Sequence, residues 1–220
     1  MRTAPDLRVY FVTDAGLCES AGRTVRETVI AAVEGGATCV QLRAKDSDGG
    51  PFLEEVLEVA KAVGEKVPVI VNDRVDVFLA ARALGAQVAG VHVGQSDLPA
   101  SLVRTLIGED AYLGLSIGTR EEAHAAREEG AADHVGLSVL RTTATKTDTP
   151  DVLGFEGCER LKRIVGIPAV AIGGVGVDDM AQLARIGIDG GAIVSAICCA
   201  PDPAATAAQL LAQWNEGAQE

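Results

Sequence analysis

The sequence has few aromatic residues, no run of basic residues and no cysteine motif. Aromatic residues make up 3% of its 220 residues, whereas hydrophobic residues make up 48%. The core must therefore be built from Val, Ile, Leu and Ala, which is typical of α/β proteins. The chain has 19 basic and 31 acidic residues, for a net charge of −12. This charge and the scarcity of aromatic side chains argue against nucleic acid as a partner.

Cysteine usage and hydropathy indicate the cellular compartment. The five cysteines are Cys18, Cys39, Cys158, Cys198 and Cys199. Their odd number, their lack of metal-binding spacing and the absence of a signal peptide predict a cytoplasmic protein. We expect the cysteines to be small core residues. No apolar run is long enough to span a bilayer, so no membrane partner is expected.

Strand and helix patterns alternate eight times along the chain. The predicted strands cover residues 8–13, 39–43, 69–71, 90–93, 112–116, 134–137, 168–172 and 191–194. The helical patterns cover residues 24–34, 52–63, 75–84, 100–107, 120–129, 155–165, 177–185 and 204–214. Thr119 and Glu122 form a capping-box pattern at the start of the fifth helix.

The repeat length of these units predicts the fold class. A period of about 25–30 residues is close to one eighth of the roughly 250 residues of a (β/α)8 barrel. We therefore predict an α/β fold with a single TIM-barrel domain over residues 1–220, in which residues 1–7 form a loose arm. An open, doubly wound sheet is the main alternative, but it would leave an edge strand and need fewer units.

The predicted third strand ends in polar residues. Val69 to Val71 is apolar on both faces, as expected for a parallel strand covered by helices, and Asn72 and Asp73 follow it. Ligand sites in such folds lie at the carboxyl ends of the strands, so both residues are site candidates. The alternative is that they only cap the next helix, since both are good caps.

Asp73 and Asp97 follow neighbouring predicted strands, three and four. Carboxylate oxygens suit Mg²⁺, which keeps several waters and is often completed by substrate phosphates. The pair therefore predicts a magnesium site. The alternative is a helix cap at Asp73 and a turn residue at Asp97.

Three cations follow the predicted strands two and six. Arg43, Lys45 and Lys146 match phosphate oxygens in charge and hydrogen bonding. Thr143 and Thr145 add neutral donors beside Lys146, in the longest polar stretch between two elements. Long loops in compact domains are often functional, which favours a binding role for this stretch over simple solvation.

Glycines and a serine follow the last two predicted strands. Gly173-Gly174 and Ser195 occupy the usual phosphate-binding position of a TIM barrel, where backbone N–H groups and a helix amino end attract an anion. A tight turn is the alternative for the glycines. The strand exits thus predict two phosphate sites, of which one involves a metal.

Covalent catalysis is not predicted. His92 lies between two valines and is interpreted as a core or hydrogen-bonded residue. The sequence shows neither a Ser-His-Asp or Cys-His arrangement nor a lysine within a predicted strand.

Six motifs together resemble the thiamine-phosphate synthase family, and the resemblance runs in order from Val9 to the last helix. The motifs are Gln41-Leu-Arg-x-Lys45, Val71-Asn-Asp-Arg-Val-Asp76, Gly90-Val-His-Val-Gly-Gln-x-Asp-Leu-Pro99, Thr143-x-Thr-Lys146, Ala171-Ile-Gly-Gly174 and Val194-Ser-Ala-Ile197. The resemblance implies a TIM-barrel transferase of thiamine biosynthesis with Mg²⁺ as its cofactor.

The implied reaction joins two phosphorylated substrates. Pyrophosphate leaves 4-amino-2-methyl-5-hydroxymethylpyrimidine diphosphate, and the nitrogen of 4-methyl-5-(2-hydroxyethyl)thiazole phosphate, or of its carboxylate form, attacks to give thiamine monophosphate. No general base is needed, because this nitrogen attacks with its own lone pair. A homo-oligomer is compatible with the sequence, which does not fix the oligomeric state.

The resemblance also implies residue roles. The metal ligands would be Asp73 and Asp97. The pyrimidine diphosphate would be held by Gln41, Arg43, Lys45, Asn72, Ser116 and Lys146, of which Arg43, Lys45, Ser116 and Lys146 are the predicted catalytic residues. The thiazole phosphate would be held by Thr143, Thr145, Gly174, Val194 and Ser195.

One stretch departs from the family pattern. After the sixth strand the family has Gly-x-Gly-Pro, then an apolar residue and Phe, whereas this chain has Gly136-Leu-Ser-Val-Leu140 and then Arg141. This departure keeps a thiazole tautomerase of the same superfamily as an alternative. A non-catalytic phosphate-binding barrel is another, although it would have little use for paired magnesium carboxylates. A sugar-phosphate isomerase is less favoured, because no acid/base pair is identified.

Overall fold

Eight parallel strands close into a barrel in the order of the chain. The structure is a computed structural model and describes residues 5–141 and 152–219. The strands are β1 (Val9–Val12), β2 (Cys39–Leu42), β3 (Val69–Asn72), β4 (Gly90–Val93), β5 (Tyr112–Ile117), β6 (His134–Ser138), β7 (Ala169–Ile172) and β8 (Gly190–Ile193). β8 pairs back with β1, where Phe11 is opposite Ile193. The predicted TIM barrel is confirmed, and the open sheet is wrong because the eight described strands close on one another.

Ten helices are present in the described part of the chain. They are α1 (Ala15–Ser20), α2 (Val25–Glu34), α3 (Gly49–Val63), α4 (Val75–Ala83), α5 (Ala100–Ile107), α6 (Arg120–Glu129), α7 (Gly154–Val165), α8 (Met180–Arg185), α9 (Ser195–Cys198) and α10 (Pro203–Gly217). The sequence prediction missed α1 and α9, because six and four residues are too few to show a helical period. The predicted helix 177–185 begins instead with a 3₁₀ turn, Val177–Asp179. The capping box of Thr119 and Glu122 is confirmed at α6.

Alternating strand residues build two separate apolar layers. One set faces the helices and forms the main core, as Val9 and Phe11 do in β1. The other set points into the barrel and includes Tyr10, Ile70 and Val170. Leu7 belongs to this inner cluster and is only 3% exposed, so the predicted N-terminal arm is not loose at this residue. The inner layer closes the barrel floor and leaves the carboxyl ends of the strands open for a site.

A group of aromatic and imidazole rings fills the middle of the barrel. The His134 ring lies 5.8 Å from that of Tyr10 and 5.6 Å from that of His92, measured between centroids. Gly114 makes room for both imidazoles, since a Cβ there would lie 2.2 Å from His92 Nδ1 and 2.6 Å from His134 Nε2. Among the described residues, neither ring nitrogen of His134 has a hydrogen-bond partner. Burial therefore lowers the pKa of His134 to about 4, although the nearby charge of Asp133 acts in the opposite direction.

This buried histidine predicts a pH-dependent stability. The unfolded chain binds the proton near pH 6.5, whereas the folded barrel does not until about pH 4. Stability is therefore lost as the pH falls through this interval, by roughly 2–3 kcal/mol from this group. We expect His134→Phe to remove this part of the pH dependence, as measured by urea unfolding at several pH values. The exposed His124→Gln is the control and should retain the wild-type profile; the same profile in His134→Phe would contradict the prediction.

Four of the five cysteines are buried, as the sequence predicted. Cys18, Cys39, Cys158 and Cys198 are buried free thiols, and Cys199 is exposed rather than in the core. Within residues 5–141 and 152–219, no helix has the length and apolar character needed to cross a membrane.

Candidate active site

Residues of all eight strands, or of the segments directly after them, line one pocket at the open end of the barrel. Of the residues predicted from sequence, it contains Gln41, Arg43, Asn72, Ser116, Gly174, Val194 and Ser195. These residues come from β2, β3, β5 and the segments after β7 and β8, so barrel closure brings them together. Lys45, Asp73 and Asp97 are not among the pocket-lining residues. Thr143, Thr145 and Lys146 lie outside the described residues.

Two hydrogen bonds orient polar side chains at the base of the pocket. Gln41 is buried, and its Nε2 donates to the Tyr10 hydroxyl at 2.9 Å. Ser116 Oγ lies 2.9 Å from His92 Nε2, and His92 is only 7% exposed. The interpretation of His92 as a hydrogen-bonded residue is confirmed. The side chains of Gln41 and Ser116 are therefore fixed before any ligand binds.

Asp73 has an unusual backbone conformation. Its φ of 60° makes it the only described non-glycine residue with a positive φ. Asp and Asn tolerate this left-handed region better than most residues. The N-cap of α4 is Arg74, without a side-chain cap, so the alternative that Asn72 or Asp73 caps this helix is wrong. The turn instead places the Asp73 carboxyl opposite that of Asp97.

The two carboxyls face each other closely. Burial, the charge of Asp97 and a hydrogen bond with it raise the pKa of Asp73 to about 6, against the lowering effect of Lys45 and Arg43. Asp97 also has the predicted turn role, because its Oδ2 accepts from the amide of Gly94 at 2.7 Å. The described residues show no group of three or more His, Cys, Asp or Glu side chains that could hold a metal. Two carboxylates nevertheless fit Mg²⁺, which often uses only one or two together with waters and phosphates.

Arg43 stands at the exit of β2 and lines the pocket. Its amide donates to Thr13 Oγ1 at 3.0 Å, and its Nη1 lies 3.7 Å from Asp14 Oδ2. Lys45 is exposed two residues later. Both cations act electrostatically on Asp73. This rim can therefore hold an anion and a divalent cation side by side.

The segment after β7 has two glycines in a backbone conformation that favours this residue. Gly173 and Gly174 have φ values of 98° and 69°, in the region that favours glycine. A Cβ on Gly173 would also lie 2.7 Å from Cβ of Val139. Ser195 is exposed at the start of α9 and lines the same pocket. Because α9 has only four residues, an anion here would depend on backbone N–H groups and the Ser195 hydroxyl more than on a helix dipole.

The structure adds residues that the sequence analysis did not assign to the site. The pocket is also lined by Tyr10, His92, Ser138, Val139 and Ile172. Strand alternation was the available signal, because Tyr10 and Val12 in β1 must share a face, as must Gln41 and Arg43. Ser138 and Val139, which depart from the family pattern, lie in the pocket wall and are buried.

Comparison with known proteins supports one family. A family model described as thiamine monophosphate synthase matches residues 9–197. A thiamine-phosphate synthase of Corynebacterium efficiens is 43% identical over 220 residues and covers 100% of both chains. One of Chloroflexus aurantiacus is 45% identical over 208 residues, which are 94% of this chain and 92% of the relative. These similarities favour a synthase over the tautomerase alternative.

Solved structures agree with the sequence comparison. Thiamine phosphate pyrophosphorylase from Pyrococcus furiosus superposes with a TM-score of 0.84 at 32% identity, covering 97% of this chain and 98% of the other. A 3-hexulose-6-phosphate synthase superposes with a TM-score of 0.67 at 19% identity, over 93% of this chain and 98% of the other. The second similarity shows the fold alone.

Proposed function

The chain belongs to the thiamine monophosphate synthase family, and from this premise we propose how its barrel joins a pyrimidine diphosphate to a thiazole phosphate. A thiamine-phosphate synthase is a transferase of thiamine biosynthesis, and its substrates are a phosphorylated pyrimidine and a thiazole phosphate. The observation that carries the proposal is that Gln41, Arg43 and Ser116 line the same pocket as Gly174 and Ser195. Polar residues of β2 and β5 thus share one cavity with the glycine segment after β7 and with Ser195 after β8.

The pyrimidine is proposed to bind at the exits of β2, β3 and β5. Because Gln41 Nε2 donates to Tyr10, the Gln41 carbonyl oxygen is left to accept from the amino group of the pyrimidine. Asn72 and Ser116 supply further neutral hydrogen-bonding groups on the same wall. These contacts would place the carbon that bears the diphosphate toward the rim.

The diphosphate is proposed to bind Arg43 and Lys45, with Lys146 as the third cation expected from sequence. Asp73 and Asp97 would hold Mg²⁺, whose chemistry is to neutralise the charge that develops on the departing pyrophosphate. Arg43 and Lys45 act on the same charge through positioned hydrogen bonds. The aminopyrimidine ring spreads the positive charge left on the carbon, so departure of pyrophosphate needs no covalent enzyme intermediate.

The thiazole phosphate is proposed to bind in the same cavity, at Gly173-Gly174 and Ser195, with Thr143 and Thr145 as further candidates. Val139, Val170 and Val194 provide an apolar wall for its ring. Fixing the phosphate at one end aligns the thiazole nitrogen with the reacting carbon, and such orientation supplies several kcal/mol of a barrier. The nitrogen uses its own lone pair, which agrees with the absence of an assigned base.

The test is formation of thiamine monophosphate from both phosphorylated substrates, detected directly with and without Mg²⁺. We expect product and pyrophosphate in equal amounts with the metal, and a large loss of both after chelation. The thiazole alcohol without its phosphate is the control substrate, and its KM should rise at least about tenfold, because it lacks the anion that the glycine segment binds. No product from folded protein saturated with both substrates would contradict the proposal.

A further inference from the structure

The segment that follows β6 is hydrogen-bonded to the glycine turn after β7. The amide of Leu140 donates to the carbonyl of Ile172 at 2.7 Å, and the amide of Arg141 donates to the carbonyl of Gly173 at 3.2 Å. Val139 lies directly over Gly173, where no β-carbon would fit. The two segments therefore form one unit of backbone and side-chain contacts at the pocket wall.

The Arg141 side chain adds further hydrogen bonds to this turn. Its Nη1 donates to the carbonyl of Gly174 at 2.8 Å and to Asp179 Oδ2 at 2.6 Å, and its Nη2 donates to Asp179 Oδ1 at 2.7 Å. Asp179 Oδ2 also accepts from the amide of Gly176 at 2.9 Å. One arginine–aspartate pair thus holds two peptide groups of the same turn.

The burial of Asp179 reduces solvent screening of its ion pair with Arg141. The side chain of Asp179 is only 10% exposed, whereas that of Arg141 is 45% exposed. Burial by itself raises the pKa of Asp179, but hydrogen bonds from Arg141 and Gly176 lower it below its ordinary value. Two parallel hydrogen bonds make this a bidentate arginine–carboxylate contact, which is stronger than one with a single hydrogen bond. Removing Arg141 would leave a charged, largely buried Asp179 without its partner.

We propose that Arg141 is a positioning residue for the thiazole-phosphate site, an inference that rests on the function proposed above. In a trans peptide, the C=O and the next N–H point in opposite directions. Anchoring the Gly174 carbonyl on Arg141 therefore turns the N–H of Val175 away from the guanidinium. Gly173, Gly174 and Val175 all line the pocket. The pair holds these peptides in one orientation, so that phosphate binding need not order them first.

Arg141 belongs to the stretch that departs from the resembled family pattern. The pattern has Phe after the sixth strand, whereas this chain has Arg141, which pairs with Asp179. Because its donors face Asp179 and the Gly174 carbonyl, Arg141 acts on the substrate through the turn and not by direct contact.

The experiment separates the KM values of the two substrates. We expect Arg141→Gln to raise the KM for thiazole phosphate roughly tenfold, since it loses charge-assisted hydrogen bonds to the turn. The KM for the pyrimidine diphosphate should stay within about twofold. Arg141→Lys keeps the charge but not the planar fork, and should restore only part of the affinity. Asp179→Asn should show the same pattern, and the double variant should be no worse than the poorer single variant.

The matched control is Arg104, which also binds backbone carbonyls and an aspartate. Its Nη1 donates to the carbonyl of Ala111 at 2.7 Å, and its Nη2 donates to Asp133 Oδ2 at 2.5 Å. These residues precede β5 and β6, at the closed end of the barrel. Arg104→Gln should lower Tm and leave both KM values unchanged.

A lower Tm in Arg141→Gln with an unchanged KM for thiazole phosphate would overturn the positioning role. Calorimetric titration of thiazole phosphate gives a readout that does not need turnover. If the wild type binds thiazole phosphate but forms no product, the proposed function fails, and a weaker Kd in Arg141→Gln still supports the positioning. Equal affinities, or no binding to the wild type, would overturn it.

Discussion

Asp73→Asn is expected to reduce kcat by about 100-fold or more and to raise the Mg²⁺ concentration needed for half-maximal rate. The substitution removes one of two carboxylates proposed to hold the metal, and the loss of one group that stabilises developing charge costs roughly 10²–10³ in rate. After glycine, asparagine is also the replacement that best tolerates the φ of 60° at this position. The backbone of the turn should therefore be preserved, and the effect should be chemical.

Initial rates over a range of Mg²⁺ concentrations measure this effect. Asp76→Asn is the matched control, because Asp76 is an exposed carboxylate three residues later that pairs with Arg74 at 2.6 Å. It should keep wild-type kinetics. The Tm of Asp73→Asn without metal should not fall, since the substitution relieves repulsion between Asp73 and Asp97. Wild-type turnover of Asp73→Asn at low Mg²⁺ would remove the metal-binding role.

Arg43→Met is expected to lower kcat/KM for the pyrimidine diphosphate about 100-fold, with little change in the KM for thiazole phosphate. The variant keeps an unbranched apolar side chain but removes the cation proposed to bind the leaving group, in a partly buried site where charge is weakly screened. The backbone of β2 should stay in place, because the Arg43 amide is held by Thr13 Oγ1. The expected loss is thus specific to one substrate.

Arg74→Met is the control for this variant. Arg74 belongs to the same rim, but its guanidinium points to Asp76, with a hydrogen bond of 2.9 Å from Nε to Oδ1. Steady-state kinetics with each substrate varied in turn should separate the two variants. Equal losses in Arg43→Met and Arg74→Met would indicate a general effect of rim charge and would contradict a specific role for Arg43.

The fold followed from the sequence because burial in a barrel is periodic. Each strand is covered by helices on its outer face, so stretches such as Val69–Val71 are continuously apolar, and eight of them at regular spacing imply closure. The short helices α1 and α9 were not predicted, because neither is long enough to show a helical period. The 3₁₀ turn before α8 was likewise hidden within a helical pattern.

The sequence predicted individual residues of the candidate site, but not which of them contact one another. The polar end of its strand identified Asn72, because the carboxyl ends of parallel strands meet on one side, and the family resemblance added Gln41 and Ser116. The same reasoning interpreted His92 as a core or hydrogen-bonded residue, but it did not show that the imidazole meets Ser116 and lines the pocket. A single valine-flanked histidine carries no signal about which strand lies beside it.

The sequence by itself determined the eightfold repeat, the side of the barrel that carries the polar residues and the family motifs, because each is encoded in local order and spacing. Only the tertiary structure decided which of those residues meet. The left-handed turn at Asp73 brings its carboxyl to that of Asp97, and Arg141 makes a bidentate contact with Asp179. Both contacts join loops that are distant in sequence. Their contacts follow from closure of the barrel and from backbone conformations outside the repeat, which a pattern of apolar and polar residues does not contain.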